Sequence, residues 1–255
     1  MNMLTGNIEN RTGQNRSDLE EVLEETVEKQ SEMMKRQYKL LLKQAEKLRE
    51  SNEKIIEILG TVVECRNLES GEHIKRVKGF TKILADCLMR EYKEYGLTPW
   101  DVEVIAATSA LHDIGKISIS DNILLKPGKL TDEEYEYMKS HTTRGCEILE
   151  HIRGAWDEVF HQVGYNICRH HHERYDGKGY PDGLAGDDIP IEAQIVSIAD
   201  VYDALISERV YKAAYSPEEA YRMIMTGECG VFSPKLLECF RKVKGAFEDL
   251  HEQIA

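Results

Sequence analysis

The chain has 255 residues, a formal net charge of −13 and a charged fraction of 31%, which bounds it to one large domain or a domain with an extension. The acidic balance excludes broad binding to nucleic-acid polymers or anionic membranes, which needs a basic face, yet it admits a small phosphate ligand, because bound divalent cations can reverse the local field. No apolar run reaches the roughly 18–20 residues that a membrane span requires.

Residues 1–16 are polar, carry Gly6 and Gly13, and read as a disordered N-terminus. They lack the apolar centre of a signal peptide, so a cytoplasmic location is expected. From Ser17 to Leu59 there is neither proline nor glycine, and Glu, Lys, Leu and Gln, all good helix formers, dominate. Ser17 with Glu20 fits a capping box. Val27, Met34, Leu41, Leu48, Ile55 and Val62 recur every seven residues, with Ser31, Tyr38, Ala45, Asn52 and Leu59 as companions. Asn52 stands at an a-like position, where asparagine favours a two-stranded register. The pattern predicts a long helix over 17–62 that pairs as a homodimeric coiled coil and relays a signal from a partner protein. The plainer alternative is a helix lying on its own domain.

Residues 63–255 read as one all-α domain, a bundle of about seven amphipathic helices after the long N-terminal one. They are expected near 72–95, 99–115, 131–150, 157–173, 190–206, 216–226 and 234–250. Pro99 before acidic residues, Thr131 before Asp-Glu-Glu, Pro190, and Ser216-Pro217-Glu-Glu mark starts. No alternating pattern long enough for a strand occurs. Cys65, Cys87, Cys146, Cys168, Cys229 and Cys239 are scattered without a C-x-x-C pair and read as reduced thiols.

Metal-ligand residue types concentrate in this part. Glu69 and His73 are four apart and share one helix face. His112 and Asp113 are adjacent near a helix end, where alone such neighbours can face one centre. His141 falls within the 131–150 helix. His171 and His172 precede the glycine turn at Asp176-Gly177. Asp200 interrupts a buried apolar run, where a carboxylate wants a metal or a cation. A lone helical histidine is usually capped or solvated, the reading given to His151, His161 and His251; His170 reads as supporting or surface. Mixed nitrogen and oxygen donors without thiolates suit iron(II), manganese(II) or zinc.

These strings resemble an HD-GYP domain, the branch of the HD phosphohydrolase superfamily that hydrolyses cyclic dinucleotides. The resemblance runs from about residue 64 to 245. It rests on His-Asp-Ile-Gly-Lys-Ile at 112–117, Ile-Leu-Leu-Lys-Pro-Gly-Lys-Leu-Thr at 123–131, His141 with Gly145, His-His-Glu at 171–173, Asp-Gly-Lys-Gly-Tyr-Pro at 176–181 and Ala-Asp-Val-Tyr-Asp-Ala-Leu at 199–205. It implies an HD-domain bundle that holds two or three divalent metal ions, iron or manganese. In that light His73, His112, Asp113 and Asp200 match one set of ligands. His141, His171 and His172 match those of a second ion, with Asp113 bridging, and Glu69 matches a third-metal carboxylate. Lys116 matches a lysine beside the scissile phosphate, so Asp113 and Lys116 take the catalytic roles. Arg209 and Lys212 match residues that hold substrate phosphates, and Gly179, Tyr180 and Pro181 shape the pocket wall. The chain departs from the family pattern at Tyr175, Ile206, Val210 and Ser233, none of them a matched ligand.

The expected reaction is hydrolysis of cyclic-di-GMP to pGpG, GMP or both, by a hydroxide bridging two metals about 3.5–4 Å apart. A 3′,3′-cyclic GMP-AMP phosphodiesterase, a catalytically silent cyclic-dinucleotide sensor and a nucleotide phosphohydrolase of the wider superfamily are the alternatives.

Overall fold

A computed structural model describes the backbone of residues 3–66, 71–154, 156–208 and 214–254, with side chains from residue 23 onward. Glu69, Arg209 and Lys212 lie outside the described residues. Two compact units divide the chain, Met1–Ser51 and Asn52–Ala255.

Helix α1 (Met3–Arg66) begins well before Ser17, so residues 3–16, expected to be disordered, are helical and Ser17 is not the start. The segment holds no proline, and each glycine costs a long helix only about 1 kcal/mol. In the first unit Leu23, Val27, Met34, Leu41 and Leu48 are exposed.

The second unit is helical, and among the described residues its only β pairing is an isolated bridge between Asp176 and Ala185. After α1 come α2 (Gly71–Glu91), α3 (Pro99–Thr108), the single turn α4 (Asp121–Leu124), α5 (Asp132–Lys139), α6 (His141–His151), α7 (Glu158–His170), α8 (Ile191–Ile206), α9 (Pro217–Met225) and α10 (Pro234–Ile254). Thr98 with Asp101, Thr131 with Glu134 and Ser216 with Glu219 form full capping boxes at the starts of α3, α5 and α9.

Two of the expected helices are broken. The one expected over 99–115 leaves α-geometry after Thr108 and continues as 3₁₀ turns, Ser109–Leu111 and Ile114–Ser118. There the hydroxyls of Thr108 and Ser109 donate to the Val104 and Ala106 carbonyls. The one expected over 131–150 splits at Ser140, where the hydroxyls of Ser140, Thr142 and Thr143 donate to carbonyls three residues back. Local side-chain bonds of this kind compete with the helical ladder. Both breaks sit beside candidate ligands: His112 follows the first, and His141 opens α6 instead of lying mid-helix.

Two apolar clusters hold the unit together. The larger is centred on Phe80, Tyr202, Phe240 and Phe247, with Phe80 stacked on Phe247 at 4.6 Å. The smaller joins Ile56 and Val63 of α1 to Ile74, Leu111, Ile114, Leu149 and Phe160. Burial of such side chains contributes about 1.5–3 kcal/mol each.

Candidate metal centre

Four histidines are held by the same device. His73 Nδ1 lies 2.7 Å from Asp203 Oδ2, His112 Nδ1 2.9 Å from the Ser109 carbonyl, and His141 Nδ1 2.8 Å from the Met138 carbonyl. His171 Nδ1 lies 3.0 Å from the Ile167 carbonyl. Carbonyl and carboxylate oxygens accept, so each Nδ1 donates its proton and Nε2 is left to face the centre, with a lone pair wherever the ring is neutral. Such bonds set the tautomer and ring direction of metal-binding histidines.

The Nε2 atoms converge on two carboxylates. His141 Nε2 is 3.2 Å and His171 Nε2 3.8 Å from Asp113 Oδ1, and His112 Nε2 is 3.1 Å from Asp113 Oδ2. Asp200 Oδ1 is 3.7 Å from His112 Nε2 and 4.0 Å from His73 Nε2. Nε2 of His112, His141 and His171 and Oδ1 of Asp113 are buried and make no hydrogen bond. Lone pairs facing carboxylate oxygens at these distances repel unless a cation or a proton lies between them, and burying them without compensation is costly. The donors of Asp113, His141, His171 and His172 lie within 4.8 Å of one another, as do those of Glu64, His73 and His112. The set fits a divalent cation of intermediate hardness.

Burial drives His171 down to about 3 and lowers His141 and His172 as well, which keeps these rings neutral. His112 behaves oppositely. Burial lowers it too, but the Asp113, Asp200 and Glu64 charges together raise it to about 10. Burial alone would raise Asp113; the Lys116 ammonium and His112 hold it well below the usual carboxylate range. Lys116 Nζ sits 2.6 Å from Asp113 Oδ2.

A cavity of about 340 Å³ opens on this group, lined by Asp113, Lys116, His172 and Asp200 and by an apolar wall of Val201, Ala204, Leu205 and Cys229. The loop from Gly179 to Pro181 borders the histidines. The Tyr180 ring lies 4.7 Å from that of His172, and the Tyr180 N–H donates to the His172 carbonyl at 3.3 Å. Buried Glu173 fastens the loop by accepting the Asp182 and Gly183 N–H groups at 2.8 and 3.0 Å. At Gly179 a Cβ would meet the Glu173 backbone at 2.3 Å, so only glycine allows that approach.

His73, His112, Asp113, His141, His171, His172, Asp200 and Lys116 are thus brought together. Sequence reasoning missed Asp203 and Arg76. Arg76 Nε donates to Asp203 Oδ1 at 2.5 Å beneath His73. The second carboxylate in the Ile195–Leu205 apolar run was the available signal for Asp203. It also missed Glu64, which is buried beside His73 and His112. His161 is buried within the bundle instead of solvated, because it lies on the inner face of α7.

Residues 21–230 match the HD domain family, well over half the chain. The chain belongs to the HD domain family. The strings that resemble its HD-GYP branch, from His112 to Leu205, lie inside that span. This HD-domain chain is 38% identical over 220 residues to a probable cyclic di-GMP phosphodiesterase of Vibrio cholerae, covering 84% of this chain and 49% of that protein. It is 40% identical over 200 residues to a cyclic di-GMP phosphodiesterase of Thermotoga maritima, covering 78% and 51%. It is 40% identical over 191 residues to a 3′3′-cGAMP-specific phosphodiesterase of Vibrio cholerae, covering 75% and 34%. The chain therefore spans at most about half the length of these relatives. Among the described residues no helix is long and apolar enough to cross a membrane.

Proposed function

We propose that residues 63–255 hydrolyse cyclic-di-GMP to pGpG, GMP or both, using two or three divalent ions, iron(II) or manganese(II). The observation that carries this reading is the convergence of four oriented histidine Nε2 atoms on two carboxylates, both of which line an open cavity. His73, His112, Asp113 and Asp200 would hold one ion and His141, His171 and His172 a second, with Asp113 shared between them and Glu69 serving a third. Ions held there would act as Lewis acids toward a phosphoryl group and lower the pKa of water.

The chain's own residues do the rest. Lys116 lines the cavity, where its ammonium would offset charge developing on the non-bridging phosphate oxygens. Val201, Ala204 and Leu205 offer an apolar surface to a purine face, and Tyr180 closes the histidine side. Arg209 and Lys212 would hold the flanking phosphates, as the family resemblance implies. Residues 17–62 would dimerise and receive a signal from a partner protein, in the cytoplasm. The free cysteines, most of them buried, fit a reducing location.

The 3′3′-cGAMP-specific relative makes 3′,3′-cyclic GMP-AMP the second substrate to test. Metal-loaded protein is incubated anaerobically with each dinucleotide and the products are resolved by chromatography. Cyclic-di-GMP should be consumed, and His112→Ala with Asp113→Ala should abolish turnover. Tight binding without turnover would instead identify a sensor, and preferential cleavage of cyclic GMP-AMP would move the assignment to the second substrate.

A further inference from the structure

We propose that Glu64, near the end of α1, is a metal ligand of this centre and forms a cation site with Nε2 of His73 and His112. The inference rests on the reading of the centre as metal-loaded, and it adds a ligand from a helix that the sequence motifs leave out.

Glu64 is 1% exposed. Burying a carboxylate that deep in the fold is costly without a compensating partner. One donor atom each from Glu64, His73 and His112 fall within 4.8 Å of one another, a group that shares no residue with the Asp113, His141, His171 and His172 group. Donors on opposite sides of a cation with bonds of about 2.1 Å stand about 4.2 Å apart, so closure needs only a small side-chain adjustment. The two histidines are already committed on their far sides, His73 Nδ1 to Asp203 and His112 Nδ1 to the Ser109 carbonyl, which leaves Nε2 of each to turn toward Glu64. The nearby Lys116 ammonium lies 3.9 Å from Glu64 Oε1 but 2.6 Å from Asp113 Oδ2, so its closer carboxylate is Asp113.

The backbone that carries Glu64 is fixed. Ile56 and Val63 are buried in the smaller apolar cluster. Two residues after Glu64, Arg66 clamps the segment that follows His112 and Asp113. Its guanidinium donates to the Lys116, Ile117 and Ile119 carbonyls at 2.9, 2.8 and 2.7 Å and to Asp121 Oδ1 at 2.6 Å. A buried carboxylate carried on an anchored backbone beside two oriented imidazoles is close to a pre-organised ligand, the arrangement that metal sites need.

Metal binding itself tests this. Full-length protein is stripped with chelator and titrated anaerobically with iron(II) or manganese(II). Retained ions per chain are measured by elemental analysis and affinities by competition with a chromophoric chelator. Glu64→Gln should lose one ion per chain, or bind one ion at least tenfold more weakly, with the remaining ions unchanged; Glu64→Asp should be intermediate. Wild-type stoichiometry and affinities in Glu64→Gln would overturn the assignment, as would a loss confined to Glu69→Gln. Should circular dichroism show Glu64→Gln unfolded, Glu64→Asp is judged by the same criterion. Wild-type protein that holds no ion would defeat the proposed function as well, whereas a loaded wild type with an unaltered Glu64→Gln defeats only the role of Glu64.

Discussion

The carboxylate of Asp203 accepts the Nδ1 proton of His73 at 2.7 Å and so determines which ring nitrogen of His73 faces the centre. The same carboxylate accepts from Arg76 Nε at 2.5 Å and Nη2 at 3.2 Å, and both residues are buried. Burial by itself would raise Asp203; the bonds from His73 and Arg76 and their charges hold it below its ordinary value. Asp203, buried beneath His73, is thus a positioning residue.

Asp203→Ala removes both functions at once. The Arg76 charge would be left buried without its carboxylate, which costs about 3 kcal/mol or more. Urea unfolding of the metal-free protein should register that loss. With His73 released, affinity for one ion should fall about 10–100-fold in chelator competition. Unchanged stability together with unchanged affinity would remove Asp203 from the account.

Gly115 decides how closely the His-Asp turn approaches α6. A Cβ at this position would lie 1.8 Å from the His141 carbonyl oxygen and 2.5 Å from the Gly145 nitrogen. Gly115→Ala must therefore push α6 and His141 away from Asp113. Overpacking of this kind costs about 1–3 kcal/mol or more. The expected outcome is a lower unfolding midpoint with weakened metal binding, while Gly245→Ala, whose Cβ meets nothing within 4 Å, should leave metal binding intact. Equal metal affinity in the two variants would contradict the packing argument.

Much of this arrangement was legible in the sequence. Helix starts announced themselves through Pro99, Thr131 and Ser216-Pro217 followed by acidic residues, because proline and carboxylates in a first turn are local signals, whereas the capping box expected at Ser17 marks no start. The ligands were legible because histidine and aspartate at helix ends are poor core residues. The breaks at Ser109 and Ser140 were not legible, since a hydroxyl bonded back to its own helix leaves the apolar periodicity unchanged. Of the supports, Asp203 showed only as a second carboxylate in an apolar run, with nothing to name its partner. Asp203 acts on His73 across 130 residues of sequence, and Glu64 reaches the centre only because α1 packs Ile56 and Val63 into the second core cluster. Spacing along the chain carries no trace of such meetings.

Metal removal should be visible as lost stability. The facing lone pairs of His141 and His171 and the Asp113 carboxylate make the centre a cluster of mutually repelling acceptors when no cation screens them. An ion at 100 times its Kd stabilises the folded state by about 2.7 kcal/mol. For a unit of this size that corresponds to roughly 5–10 °C in Tm. Calorimetry with manganese(II) and with chelator should give a difference of this order, abolished in His112→Ala with Asp113→Ala. A Tm indifferent to manganese(II), iron(II) and zinc would argue that the group is held together by protons.

The heptad residues of α1 bear on assembly. Val27, Met34, Leu41, Leu48, Ile55 and Val62 are all at least 45% exposed in the single chain. Apolar residues repeated every seven positions bury themselves most readily against a second helix of the same kind. The full chain should therefore sediment as a dimer. Met34→Glu with Leu41→Glu places two charges in each helix at the seam and should yield a monomer, with the melting of residues 52–255 unaltered. Sedimentation velocity across a range of concentrations decides the matter. A wild-type chain that stays monomeric at high micromolar concentration would leave α1 without the partner its pattern calls for, and would return it to the plainer alternative of a helix lying on its own domain.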